Sequence, residues 1–227
     1  MHTVEDAVAR IVSGIEPLSI ERVALLDALG RVLASPVVSP LTLPAWDNSA
    51  MDGYALRAAD VAGASDGAPV TLTVLETVAA GAFPTRDVEA GSCTRIMTGA
   101  PLPRGVDTVI RLEDTDGGLE RVAIRSDRDA RRNLRFRGED ITTGTLVLDR
   151  GQPIGPAQIG VLASMGASSV YVYRQPRVAF FGSGDEVVDL DRFSEVLDGK
   201  KSVTANSYTL HALVRLTGGI PINLGVA

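Results

Sequence analysis

Cysteine and histidine are almost missing from this chain of 227 residues, which has one Cys, Cys93, and two His. A single thiol excludes an internal disulfide framework, and one Cys with two His cannot complete a nitrogen and sulfur zinc site. Any metal must be a hard cation on oxygen ligands. No apolar run approaches the ~20 residues needed to cross a bilayer. The start, Met1-His2-Thr3-Val4-Glu5-Asp6, lacks the basic and apolar regions of a secretory signal, which places the expected protein in the cytoplasm and off the membrane. Positive charge is also short. With a net charge of −6 and a pI near 5.0, nothing offsets phosphate repulsion over most of the surface, which argues against a general nucleic-acid binder.

What is present is enough apolar material, 45% of residues, for one large or two ordinary domains. The first element reads as a helix, because Val4, Ala7, Val8, Ile11, Val12 and Ile15 recur at helical spacing and Thr3 with Asp6 forms a capping box. Gly14 and Pro17 end it. Ser19 to Val23 reads as a strand, Leu25 to Leu29 as a turn of helix, and Arg31 to Ser35 as extended. Pro36, Pro40 and Pro44 then break an apolar run into an extended connector.

The connector leads to Pro44-Ala45-Trp46-Asp47-Asn48-Ser49-Ala50-Met51-Asp52-Gly53-Tyr54-Ala55, a polar loop holding the only tryptophan. Asn48, Ser49 and Gly53 supply turn chemistry, while Trp46 and Tyr54 are apolar bodies that can pin the two ends. Two readings stand side by side: an Asx-rich turn with one aromatic in the core, or a rigid loop carrying a site. Tyr54 to Val61 reads as a short helix. From Val70 to Gly151 short β-rich runs alternate with turns: Val70 to Val78, Ser92 to Met97, Thr108 to Leu112, Arg121 to Ile124 and Thr145 to Leu148. Their spacing predicts a small barrel or sandwich.

Within this region Thr98 stands where a strand ends, next to Gly99, whose lack of a Cβ allows close backbone approach. Six arginines lie between Arg125 and Arg137, followed by Gly138-Glu139-Asp140. They read either as a solvated loop paired with Asp127, Asp129 and neighbouring acids, or as an anion site. Pro156 to Ser164 reads as a helix and Ser169 to Tyr173 as a strand. After Gln175-Pro176 the signature becomes α/β. Arg177 to Phe181 is a strand, Gly182-Ser183-Gly184-Asp185-Glu186 a glycine-rich turn, Asn206 to Leu216 a helix and Ile220 to Gly225 a strand. The turn matches neither the dinucleotide nor the Walker phosphate pattern. Two parallel strands and one helix cannot cover both faces of a parallel sheet, so the α/β domain is expected to be incomplete at Ala227.

Four segments, in collinear order, resemble the molybdopterin molybdenumtransferases, the MoeA and gephyrin E-domain family: Asp47-Asn48-Ser49-Ala50-Met51-Asp52-Gly53-Tyr54-Ala55, Arg95 to Pro103, Arg137-Gly138-Glu139-Asp140-Ile141, and Gly184-Asp185-Glu186. The resemblance is to the N-terminal portion of that family. It implies a multidomain α+β protein: a discontinuous linker domain I (1–45 plus 140–175), an inserted β-rich domain II (46–139), and the beginning of a MogA-like α/β domain III (176–227), truncated, with domain IV absent. It implies a homodimer that inserts molybdenum from molybdate into adenylylated molybdopterin, with Mg2+, and releases AMP. A MogA-type adenylyltransferase and molybdoenzyme apoproteins are the partners it suggests.

Carried over by position, the family's acidic and hydroxyl site residues fall on Asp52, Thr98, Asp140 and Glu186. The resemblance places substrate contacts at Asn48, Ser49, Arg135, Arg137 and Gly184, and a metal at Asp185 and Glu186. Molybdate and phosphate are anions, so the carboxylates are suited to holding magnesium, moving protons or orienting arginines rather than to touching the anions. One departure stands out: Thr204-Ala205-Asn206 occupies a turn where the family usually carries an aspartate at the first position. A non-catalytic dimerising or scaffold module, and an inactive remnant of the same family, are the competing readings.

Overall fold

The computed structural model describes residues 3–227. The chain forms two compact units, one discontinuous (1–37 with 146–227) and one inserted (38–145).

In the discontinuous unit, α1 spans Val4–Ser13. The Thr3 hydroxyl accepts from Asp6 N and the Asp6 carboxylate accepts from Thr3 N, each at 3.1 Å, so both orphan donors are capped. The apolar stripe of α1 does not reach this chain's core: Val4, Val8, Ile11 and Val12 are all exposed. Ile20–Ala24 pairs antiparallel with Ser169–Tyr173. Beneath them Leu33, Ile154, Leu162, Val170 and Val172 form the core, with α2 (Pro156–Ser164) starting on a proline that needs no N–H at that position. Further along, Arg177–Gly182 pairs in parallel with Ile220–Val226, and Val187–Val188 with Ser202–Val203. Two helices belong to this stretch, α3 (Phe193–Leu197) and α4 (Ala205–Leu216).

The inserted unit corrects two expectations. Its β-rich runs form one five-stranded sheet, not the two sheets of a sandwich, in the order Thr108–Arg111, Gly53–Leu56, Ser92–Ile96, Val70–Val78, Arg121–Ile124, and a bridge from Thr115 to Ile124 joins the two edges, so that the sheet curls as in a barrel. Val70–Val78 runs parallel to Ser92–Ile96, and the other pairings are antiparallel. A single sheet suffices because both faces are filled. Tyr54, Leu56, Leu72, Cys93 and Ile110 pack on one, and Ala55, Val78, Ile96 and Val109 on the other. Leu72 and Val78, an even number of residues apart, reach opposite faces because the register shifts between Val74 and Thr77.

The second correction concerns Tyr54 to Val61. Gly53–Leu56 is a strand, and only Ala58–Val61 turns, as a single 3-10 segment. Hydrogen-bonded neighbours on both sides outweigh whatever helical tendency Ala55, Leu56 and Ala58 carry. No helix among the described residues is long and apolar enough to cross a membrane.

Candidate functional site

The polar loop of the inserted unit is held by backbone pairing on two sides. Asn48 and Ser49 form a short antiparallel ladder with Arg135 and Leu134. On the other side Ser49 N donates to Ala100 O at 3.1 Å, Gly99 N to Ser49 O at 2.8 Å and Leu102 N to Asp47 O at 2.9 Å. Three segments far apart in sequence, 47–52, 98–102 and 133–137, thus converge. Gly99 lies at φ +80, a conformation that favours glycine, where the chain turns out of strand Ser92–Ile96. Ala100 anchors the same turn in the core face formed by Ala55, Ile96 and Val109.

This convergence brings Asp52 and Thr98 together. Asp52 Oδ1 accepts from both Thr98 N and Thr98 Oγ1, each at 2.7 Å. The backbone bond, then the hydroxyl bond, lower the Asp52 pKa below its ordinary value and keep the carboxylate ionised. Both donors use the same oxygen, so among the described residues Oδ2 has no protein donor and is open to a proton, a cation or a substrate group.

Asp47 and Asn48 shape the turn. Asp47 Oδ1 accepts from Arg137 N at 2.7 Å, and Asn48 Nδ2 donates to Trp46 O at 3.2 Å. Ser49 is 0% exposed, and its hydroxyl donates to Met51 O at 2.6 Å and accepts from Met51 N at 3.2 Å. Ser49 is thus a fully buried part of the frame, whereas Asn48 is 6% exposed and its Oδ1 has no donor among the described residues.

Gly53 has a different role from the one its turn chemistry suggests. It lies inside a strand, where an added Cβ would stand 2.0 Å from Ile110 O. Glycine is required there for close strand approach. The only signal available in the sequence is the glycine itself at the loop exit.

The arginine-rich segment divides between its two readings. Arg135 Nη2 donates to both Asp140 oxygens at 2.8 and 2.7 Å, and its Nε to Glu139 Oε1 at 2.6 Å. Glu139 Oε2 in turn accepts from Phe136 N at 2.8 Å, which makes Glu139 the organiser of this turn, a role the sequence did not reveal. Arg128 pairs with Asp114, and Asp129 is held by Arg111 from outside the segment. Arg137 differs. Its Nε donates to Ala45 O at 3.1 Å, and among the described residues no carboxylate lies within salt-bridge distance of it. Like the guanidinium groups of Arg125, Arg131 and Arg132, it has no ion-pair partner among the described residues and is open to an anion.

In the discontinuous unit, Gly184 lies at φ +142 and the Glu186 carboxylate folds against it, 2.7 Å from the place a Cβ would take. Ser202 N donates to Glu186 O at 2.7 Å, Val187 N to Gly184 O at 3.0 Å, and Lys201 Nζ to Asp185 O. The backbone is therefore tied, while the carboxylates of Asp185 and Glu186 have no donor among the described residues. Next to this turn, Phe181, Gly182, Ser183, Thr204, Asn206 and Ser207 help to line a cavity of about 360 Å³. The Thr204 hydroxyl bonds the Ser207 hydroxyl at 2.7 Å and fills the space beside Gly182.

Among the described residues no three His, Cys, Asp or Glu side chains gather around one point. Asp185 and Glu186 could supply at most two carboxylates. That fits magnesium, which commonly keeps several waters and takes the rest of its oxygens from substrate phosphates.

Residues 2–166 match the family model described as the MoeA N-terminal region, domains I and II. The chain is 38% identical over 220 residues to molybdopterin molybdenumtransferase 2 of Mycobacterium tuberculosis, covering 97% of this chain and 53% of that protein. It is 41% identical over 206 residues to the molybdopterin molybdenumtransferase of Nostoc sp., covering 91% and 47%. The crystal structure of the molybdopterin biosynthesis moeA protein from Pyrococcus horikoshii OT3 superposes with a TM-score of 0.84 at 32% identity, covering 98% of this chain and 59% of that one. The chain spans about half the length of the curated relatives it matches.

Proposed function

The chain belongs to the MoeA family, of which it carries the N-terminal region, and from that premise we propose that it serves molybdenum cofactor biosynthesis as part of a molybdopterin molybdenumtransferase. In the reaction, molybdenum passes from molybdate to the dithiolene of adenylylated molybdopterin and AMP is released. One observation carries this reading: Asp52, in the middle of the family's signature loop, is aimed and kept ionised by two 2.7 Å bonds from Thr98.

The chemistry suits such a group. Each sulfur that binds molybdenum gives up its thiol proton, and each oxo group that leaves as water takes up two. A fixed carboxylate with one uncommitted oxygen can carry those protons between sulfur and oxygen without diffusing. Thr98 orients it. Arg137 contributes positive charge for molybdate or phosphate, and Arg135 holds Asp140 in the same loop system. Asp185 and Glu186, beside Gly184, would hold magnesium, which supplies charge neutralisation at the adenylyl phosphate when bound. We place domain I at residues 1–45 plus 140–175, domain II at 46–139 and the beginning of domain III at 176–227. The exposed apolar stripe of α1 favours a homodimer as the working form, in the cytoplasm. A MogA-type adenylyltransferase supplies the substrate and molybdoenzyme apoproteins receive the product.

A chimera tests the assignment. This chain replaces the matching part of the Mycobacterium tuberculosis relative, and the product is expressed in a bacterium lacking its own molybdenumtransferase. Restored nitrate reductase activity is expected, and Asp52→Asn should lower it by about 100-fold, the scale of a lost acid–base group. A chimera that restores nothing, or an Asp52→Asn chimera with full activity, would falsify the reading.

A further inference from the structure

The loop that carries Asp52 begins at a second feature, a pair of exposed aromatic rings. Trp46 and Phe83 stand edge to face with ring centroids 5.1 Å apart, and they remain 40% and 61% exposed. They flank a cleft of about 510 Å³ whose remaining walls include Asp87, Pro101, Pro103 and Arg104. Two large aromatics left in water beside an open cleft are surface a flat ring can cover.

The cleft is built from fixed parts. Glu76 takes hydrogen bonds from Thr85 N at 2.9 Å, Thr85 Oγ1 at 2.7 Å and Arg86 N at 2.9 Å, which clamps the segment carrying Phe83 and Asp87 onto strand Val70–Val78. Arg86 Nη1 donates to Leu75 O at 3.0 Å, and Val88 N to Arg104 O at 2.9 Å. On the opposite wall, Leu102 N donates to Asp47 O at 2.9 Å. The polar groups facing the cleft are uncommitted: neither the Asp87 carboxylate nor the Arg104 guanidinium has a protein partner among the described residues.

We propose that this cleft binds the pterin ring of a phosphorylated pterin, with the ring against Trp46 and Phe83, its amino-pyrimidinone edge on Asp87 and its phosphate on Arg104. The carboxylate narrows the choice of ring. An ionised Asp only accepts, so it complements an edge with two adjacent donors, the ring N–H and exocyclic amine that a pterin shares with guanine, and of these two the proposed function selects the pterin. The pairing edge of adenine offers one donor beside one acceptor and leaves a lone pair facing the carboxylate. Arg104 complements a phosphate ester whichever ring bears it. The identity of the ring as a pterin rests on the proposed function, whereas the existence of the cleft does not.

Trp46 is the only tryptophan, so its fluorescence reports on the cleft directly. The whole chain is titrated with neopterin phosphate, with unphosphorylated neopterin and with AMP. Neopterin phosphate should quench saturably, and at least tenfold more tightly than either of the others. Phe83→Ala and Asp87→Asn should each weaken it at least tenfold, and Asp87→Asn should narrow the gap to AMP, with circular dichroism showing both variants folded. No saturable quenching, equal binding of AMP, or folded Phe83→Ala and Asp87→Asn variants that bind as before each overturn the proposal. The chimera separates the two readings. Rescue without quenching overturns the pterin cleft alone, and quenching without rescue overturns the molybdenumtransferase reading alone.

Discussion

Strand Gly53–Leu56 has a hydrogen-bonded neighbour on each side and four buried residues, whereas strand Ile220–Val226 has one neighbour and none. Both are apolar runs of similar appearance in the sequence. The first ends in a sheet filled on both faces, and the second in a stretch, residues 177–227, where only Val188, Thr204 and Ser207 are buried. The side chains they support differ in the same way. Asp52 is aimed by two donors fixed to the sheet, while Glu186 and Asp185 sit on a turn whose backbone is tied and whose carboxylates are not. A carboxylate held by the fold is committed before any ligand arrives, and one without donors takes its direction from the ligand.

The strongest test of this contrast compares core truncations. Ile110→Ala removes a fully buried side chain and should destabilise the inserted unit by about 4 kcal/mol, read by urea unfolding followed through Trp46. Leu213→Ala, at a 49% exposed position of α4, should change stability by less than about 0.5 kcal/mol, read by circular dichroism. Equal costs would erase the distinction between the two regions. Gly53→Ala comes next, at about 3 kcal/mol, because the new methyl meets a backbone carbonyl that is fixed in the sheet. A folded variant of undiminished stability would mean that the strands can separate there.

The smallest effect sharpens the comparison at the site. Thr98→Val deletes the hydroxyl bond to Asp52 and keeps the backbone one, so the Asp52 titration followed by NMR should move up toward the ordinary aspartate value without reaching it. A lowered folded-state pKa means that the stabilisation from Asp52 is complete above the ordinary aspartate value and is lost as pH falls through the lowered one. The variant should therefore lose less stability over that acid range than the unaltered protein. An unmoved titration would show that the hydroxyl does not act on Asp52.

Local chemistry is what the sequence displayed well. The reciprocal cap of Thr3 and Asp6 lies within one turn, and strands such as Val70–Val78 and Arg121–Ile124 announce themselves by β-branched runs between glycines and charges. Gly53 and Tyr54 were misread because their strand is defined by partners on both sides, information that no window of neighbouring residues contains. The pairing of Asp52 with Thr98 was equally hidden, since it depends on how the sheet brings two loops together. The family resemblance pointed to both residues but could not say that they touch. Of the two aromatics expected to pin the ends of the loop, Tyr54 is fully buried and Trp46 lies at the edge of a cleft.

The pairing of Asn48 and Ser49 with Leu134 and Arg135 also has a kinetic consequence. The polar loop finds its partners only after a long stretch of later chain has been made and folded, so its closure carries the entropy of a large loop and belongs to the late, slow part of assembly. A peptide of residues 44–55 alone should be unstructured. In the intact protein, the amides of Ser49, Ala50 and Gly99 should exchange with solvent at the pace of unfolding of the inserted unit rather than at the pace of a surface loop.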